Sequence, residues 1–164
     1  MKPKPFPDDI FIREATIGQK YAELVAARLR CHNIDAIASQ FNFDPERDPA
    51  DFADEQDVLL GDGRCLEVKS RRLAFDCDPS TFPYKTALVD TAAGWRKKIN
   101  KPVGVCVVSQ HTDQMLFIPA ETEPQWGTKK GWDRVRSIHE NWLTVDRDLM
   151  VTFNQMLDHI NGES

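Results

Sequence analysis

The amino-acid sequence predicts an α/β domain. Three features carry that expectation: helical apolar spacing over residues 16–30 (Ile17, Tyr21, Leu24, Val25, Leu29), two short apolar runs joined by Gly61-Asp62-Gly63, and the β-branched run VGVCVVS at 103–109. With 164 residues, 41% of them hydrophobic and 29% charged, the chain has the size of one domain and enough apolar side chains for one core. A single domain over 1–164 is therefore expected, with its core at about 14–118 and a closing helix at about 146–160.

Thr16 and Gln19 have capping-box spacing, so the first helix is expected to start at Thr16. Residues 41–56 are rich in Asp and Pro, lack periodicity and read as a loop. Val58 to Leu60 and Cys65 to Lys69 flank the Gly-Asp-Gly turn and read as a hairpin, because glycine tolerates positive φ. Residues 85–98, with Ala87, Leu88 and Trp95 and the basic end Arg96-Lys97-Lys98, read as a second helix. VGVCVVS and MLFIPA, separated by a polar turn, read as strands. Asp146 is expected to cap a last helix with Leu149, Met150, Phe153, Leu157 and Ile160 on one face. The order is helix, hairpin, helix, strands, helix, and residues 120–145 are available as an inserted recognition segment. No repeat or linker divides the chain.

A net charge of −5 and a pI near 5.4 argue against coating nucleic acid by bulk charge. The charges are unevenly placed, however: acids crowd residues 44–57, whereas bases gather in KSRR, WRKK and TKKGWDRVR. No apolar run reaches bilayer-spanning length, and MKPKPFPDD lacks the apolar core of a signal peptide, so a cytoplasmic protein without membrane partners is expected. Cys31, Cys65, Cys77 and Cys106 have no zinc-site spacing and read as free thiols. His139-Glu140 lacks the second histidine of HExxH.

The hairpin carries the chemistry. Side chains alternate along a strand, so Glu67 and Lys69 emerge on one face while Leu66 and Val68 anchor the other. Asp57 stands at the mouth of the preceding strand, from which the turn brings its carboxylate toward Glu67. Two carboxylates in one small volume repel, and a hard divalent cation with oxygen ligands relieves that repulsion. Mg²⁺ held in this way polarises a phosphodiester, activates water and shields developing charge. A protonated Lys69 can orient that water or stabilise the pentavalent phosphorus.

Asp57 followed by Glu67-x-Lys69 in a hairpin, after a helix that bears acids, resembles the PD-(D/E)xK nuclease superfamily, and LEVKSRR is similar to the site strand of its Holliday-junction-resolvase and repair-nuclease branches. The resemblance covers roughly residues 14–110. It implies a restriction-endonuclease-like α-β-β-α-β core, a mixed central sheet flanked by helices. It also implies Asp57, Glu67 and the Val68 carbonyl as metal ligands, Lys69 as the catalytic lysine, and Mg²⁺, replaceable by Mn²⁺, as cofactor. The family's helix acid corresponds to Glu23, with Glu14 as the alternative; the usual proline before the aspartate is Gln56. Ser70, Arg71, Arg72, Tyr84 and Lys85 are the expected nucleic-acid contacts, the last two at a helix N-terminus.

The exonuclease branches carry Gln-x-x-x-Tyr after the site, and no such motif follows Lys69. The expected function is therefore metal-dependent endonucleolytic hydrolysis of duplex or branched DNA, with homodimer formation open. The alternative is a catalytically silent nuclease-like module that binds nucleic acid or assembles with it.

Overall fold

The computed structural model describes residues 8–41, 44, 46, 57–133 and 137–163. The chain opens with α1 (Asp8–Cys31) and β1 (Ala36–Ala38), followed by the hairpin β2 (Val58–Leu60) and β3 (Cys65–Arg71). Next come β4 (Thr86–Thr91), α2 (Ala92–Lys97), β5 (Gly104–Ser109) and β6 (Met115–Pro119). The chain closes with β7 (Gly127–Asp133), β8 (Ile138–Asp146) and α3 (Phe153–Asn161). The mixed α/β class is as expected from the sequence. Among the described residues no helix is long and apolar enough to cross a membrane.

The larger sheet has the order β1-β2-β3-β5-β6, in which β3 and β5 are parallel and the other neighbours antiparallel. The period of two divides its side chains between two cores. Ala36, Ala38, Val58, Leu60, Leu66, Val68, Cys106 and Val108 turn to Tyr21, Val25, Ala26 and Leu29 of α1 and to Met156 and Ile160 of α3. Val105, Val107, Leu116 and Ile118 turn the other way, to Trp95 of α2 and to Ala87, Val89 and Val145 of a second sheet, β4-β8-β7. Helices cover one face of the large sheet; a small antiparallel sheet with α2 covers the other.

The hairpin forms where the sequence places it, with Val58 opposite Leu66 and Leu59 opposite Cys65. Its glycines have separate reasons. Gly63 takes φ 90°, whereas Gly61 lies against Asp35, whose Oδ2 would stand 2.6 Å from an added Cβ. All four cysteines are free thiols, two of them buried.

Three expectations are corrected. Helix α1 starts at Asp8 rather than Thr16, and the Thr16 hydroxyl, inside the helix, donates to the Ile12 carbonyl instead of capping. The second helix does not begin at residue 85: Thr86–Thr91 is a strand, because Ala87, Val89 and Thr91 bury alternately and β8 pairs alongside, so α2 begins only at Ala92. Asp146 caps, but it caps a 3-10 turn at Arg147–Leu149 through the Asp148 N–H. Helix α3 then starts at Phe153 behind a Thr152–Gln155 capping box, after Val151 has bridged to Phe117; Met150 consequently joins the core opposite the one that receives Ile160. Residues 120–145 hold β7 and most of β8, and β8 leads into Val145 of the core and pairs with both β4 and β7.

Candidate functional site

The site is built on β3, between β2 and β5 in the large sheet. Leu66 and Val68 are buried in the α1 core, and this fixes the phase of the strand, so Glu67 and Lys69 project from the other face. That face is enclosed by β4 and α2, and Glu67 is buried to 6% exposure. Asp57, just ahead of β2, turns its carboxylate to the same strand: Oδ2 accepts a 2.7 Å hydrogen bond from the Val68 N–H. The three residues that the hairpin was expected to gather are thus gathered.

Two further side chains complete the cluster. Lys69 Nζ lies 2.7 Å from Glu67 Oε1 and 3.9 Å from Asp90 Oδ2, at the end of β4. Lys98, which follows α2 as its C-cap, places Nζ 2.9 Å from Glu67 Oε2. Each oxygen of Glu67 therefore has its own ammonium partner. Asp90 is fixed by the Thr91 N–H, 2.7 Å from its Oδ1, while the Thr91 side chain caps α2 by accepting from the Gly94 N–H. A closed circuit results: Glu67, Lys69, Asp90, the helix α2, Lys98 and Glu67 again.

The electrostatics of the two central acids diverge. Burial, and then the Glu67 charge, raise the Asp57 pKa to about 6 against the partial relief from Lys69, the Val68 N–H and Lys98. Burial also opposes ionisation of Glu67, but the charges and hydrogen bonds of Lys69 and Lys98 outweigh it and hold this carboxyl below its ordinary value. Lys69 is desolvated as well, yet Glu67, Asp90 and Asp57 keep its pKa above the usual lysine range. Lys69 and Lys98 pair with Glu67, Lys69 also approaches Asp90, and the Arg71 guanidinium acts on Asp90 as well, whereas among the described residues Asp57 has no ion pair of its own.

This donor set fits a hard divalent cation. The donors are carboxylate oxygens, and the acid with the raised pKa is the one whose charge lacks a cation of its own. Among the described residues no group of three or more His, Cys, Asp or Glu side chains forms a ready-made metal cage. A cation at Asp57 and Glu67 would complete its shell with water or substrate oxygens, as Mg²⁺ commonly does.

The outlying candidates divide. Glu23 pairs with Arg30 at 2.7 Å, and Arg30 also donates to the Ala36 carbonyl, so this acid ties the end of α1 to β1. Glu14 lies 4.0 Å from Arg72, beyond the end of β3, and is the helix acid that meets the site strand's extension. Val68 enters the cluster through its N–H. Ser70 Oγ accepts from Gln110 Nε2, and the Arg71 guanidinium donates to the Leu88 carbonyl at 2.8 Å, stapling β3 to β4. Arg72 is exposed, and the Glu14 carboxylate is its ion-pair partner. Tyr84 and Lys85 stand before a strand, which corrects their expected place at a helix N-terminus: no helix begins there to offer free N–H groups.

The sequence reading missed Asp90 and Lys98. An acid in VDTAAGW that both ends a strand and precedes a cap is the signal for Asp90, and it was hidden by reading residues 85–98 as helix. Comparisons with protein-family models, with curated proteins and with solved structures find no match to this chain.

Proposed function

We propose that the protein is a metal-dependent nuclease of the PD-(D/E)xK kind, hydrolysing DNA phosphodiesters endonucleolytically. One observation carries the reading: Asp57, Glu67 and Lys69 converge on one face of β3, with Asp57 short of positive charge. Asp57 and Glu67 would hold Mg²⁺ or Mn²⁺, and the ion would supply Lewis-acid stabilisation of the phosphate and an activated water. Lys69 is a quarter exposed and held protonated, and its charge would act on the attacking water or on the phosphorane oxygens. Arg72 is the exposed cation nearest in sequence to this strand and suits a neighbouring phosphate. A second reading has its own support. Both oxygens of Glu67 already bind ammonium groups, as in a purely structural ion-pair network. On that reading the domain binds nucleic acid or assembles without cutting it.

The deciding experiment incubates supercoiled plasmid, linear duplex and four-way-junction DNA with the protein in Mg²⁺, Mn²⁺ or EDTA. Nicking or junction cleavage in metal alone, reduced about a hundredfold or more in Lys69→Ala, is expected. No cleavage by the wild type selects the silent module, and equal cleavage by Lys69→Ala removes Lys69 from the chemistry.

A further inference from the structure

Lys98 belongs to no part of the expected nuclease machinery, yet it is the more buried of the two lysines on Glu67, at 9% against 25% side-chain exposure. The chain arranges this deliberately. The basic end of α2 reads Arg96-Lys97-Lys98, and the first two are exposed while only the third turns inward. The turn is secured twice: the Lys98 N–H donates to the Trp95 carbonyl at 3.3 Å, and the Lys101 ammonium donates to the same carbonyl while lying 5.1 Å from the Trp95 ring centre. Trp95 itself is fully buried in the second core. Lys98 is thus delivered to Glu67 Oε2 from a turn anchored on the buried Trp95.

We propose that Lys98 is an internal counter-ion that a divalent cation must displace from Glu67, which makes it the residue that sets the metal affinity of the site. Resting on the metal-site reading above, the inference follows from charge and valence. Glu67 Oε1 is engaged by Lys69 and Oε2 by Lys98, so a cation at this carboxylate meets an ammonium on whichever oxygen it takes. With the Arg71 guanidinium beside Asp90 counted, Asp57, Glu67 and Asp90 are matched by three cations, so a divalent ion added with all of them in place leaves an excess of positive charge in a buried volume. Withdrawal of one ammonium lowers that excess. Lys69 is held from two sides, by Glu67 and Asp90, whereas among the described residues Glu67 is the only carboxylate in ion-pair contact with Lys98. Lys98 is the one to leave. It acts through Glu67 and is a positioning residue; once released, it stands at the end of α2 beside Arg96 and Lys97, adding a cation to that basic edge.

The test is calorimetric titration of Mg²⁺ into metal-free wild type, Lys98→Met and Lys97→Met, with no DNA present. Lys98→Met should bind about tenfold or more tightly, because the competing charge has been removed from contact range, whereas Lys97→Met, an equal change in net charge on an exposed neighbour, should change affinity less than about twofold. In the wild type, the Nζ resonance of Lys98 should shift as Ca²⁺ fills the site, a readout that does not depend on the variant folding. Unchanged or weaker binding in folded Lys98→Met, an equal gain in Lys97→Met, or an unmoved Lys98 resonance at saturation overturns the role given to Lys98 while leaving the metal site standing. No metal bound by any of the three proteins overturns the metal reading and this inference with it.

Discussion

The two carboxylates on β3's working face respond oppositely to their surroundings, and mutation should expose the difference. Asp57 is ionised against burial and against Glu67, with a pKa near 6 where an unfolded chain has about 3.8. A raised carboxyl pKa contributes stability that is complete below the unfolded value and is lost as pH rises through the folded one, so this contribution disappears between about pH 4 and pH 6. Asp57→Asn, uncharged at every pH, should therefore be more stable than wild type in metal-free buffer at pH 8, by about 1–3 kcal/mol. That advantage should shrink toward zero below pH 5. Glu67→Gln should do the reverse. It leaves two buried ammonium groups facing an amide and should cost about 3–5 kcal/mol, the penalty typical of breaking a buried ion pair from one side. Urea unfolding of both variants at pH 5 and pH 8 measures the two signs; destabilisation of both at pH 8 would show that Asp57 is compensated after all.

At the level of elements, the site depends on how α2 is launched. With six residues the helix has little stability of its own, and the Thr91 cap satisfies an N–H that nothing else in so short a segment would reach. Thr91→Ala should cost about 1 kcal/mol, and because Asp90 and Lys98 flank α2 it should also disturb both ends of the ion-pair circuit. Thr152→Ala, at the start of α3, removes a comparable cap far from Glu67 and should lower stability alike with no effect on metal affinity. Chemical denaturation and Mg²⁺ titration of the pair separate fold from site. The same elements explain what was legible in the sequence. The β2–β3 hairpin was readable because its turn, alternation and partner lie within fifteen residues of chain. Asp57, Glu67 and Lys69 came with it. Strand β4 was not readable, because Ala87, Leu88 and Trp95 mimic helical spacing, and the partner that makes Thr86–Thr91 a strand, β8, lies more than fifty residues on. Lys98 stayed hidden for the same reason, since its inward turn depends on where α2 begins. Strand β7, nearly all exposed, carries no apolar alternation to betray it.

For the whole molecule, the cluster sits where the two cores meet, since β3 gives Leu66 and Val68 to one and sends Glu67 and Lys69 toward the elements that build the other. Asp57, Glu67, Asp90 and Lys98 are brought together only by folding: the hairpin unites the first two, and the packing of β4 and α2 adds the rest. A cation that recognises this set binds the native state and has no equivalent site in the unfolded chain, so Mg²⁺ should stabilise the protein by mass action. At a hundredfold excess over Kd the gain is about 2.7 kcal/mol, which for a domain of this size raises the melting temperature by roughly 5–10 °C. The rise should weaken below pH 6, where a proton competes with the ion at Asp57. It should vanish in Asp57→Asn, although that variant starts from the higher metal-free stability. Thermal unfolding in graded Mg²⁺ at constant ionic strength, for the two proteins at pH 5.5 and pH 8, checks all three relations together. A rise of equal size in Asp57→Asn would place the stabilising ion elsewhere on the molecule and leave the charge cluster on β3 as an ion-pair staple between its two sheets.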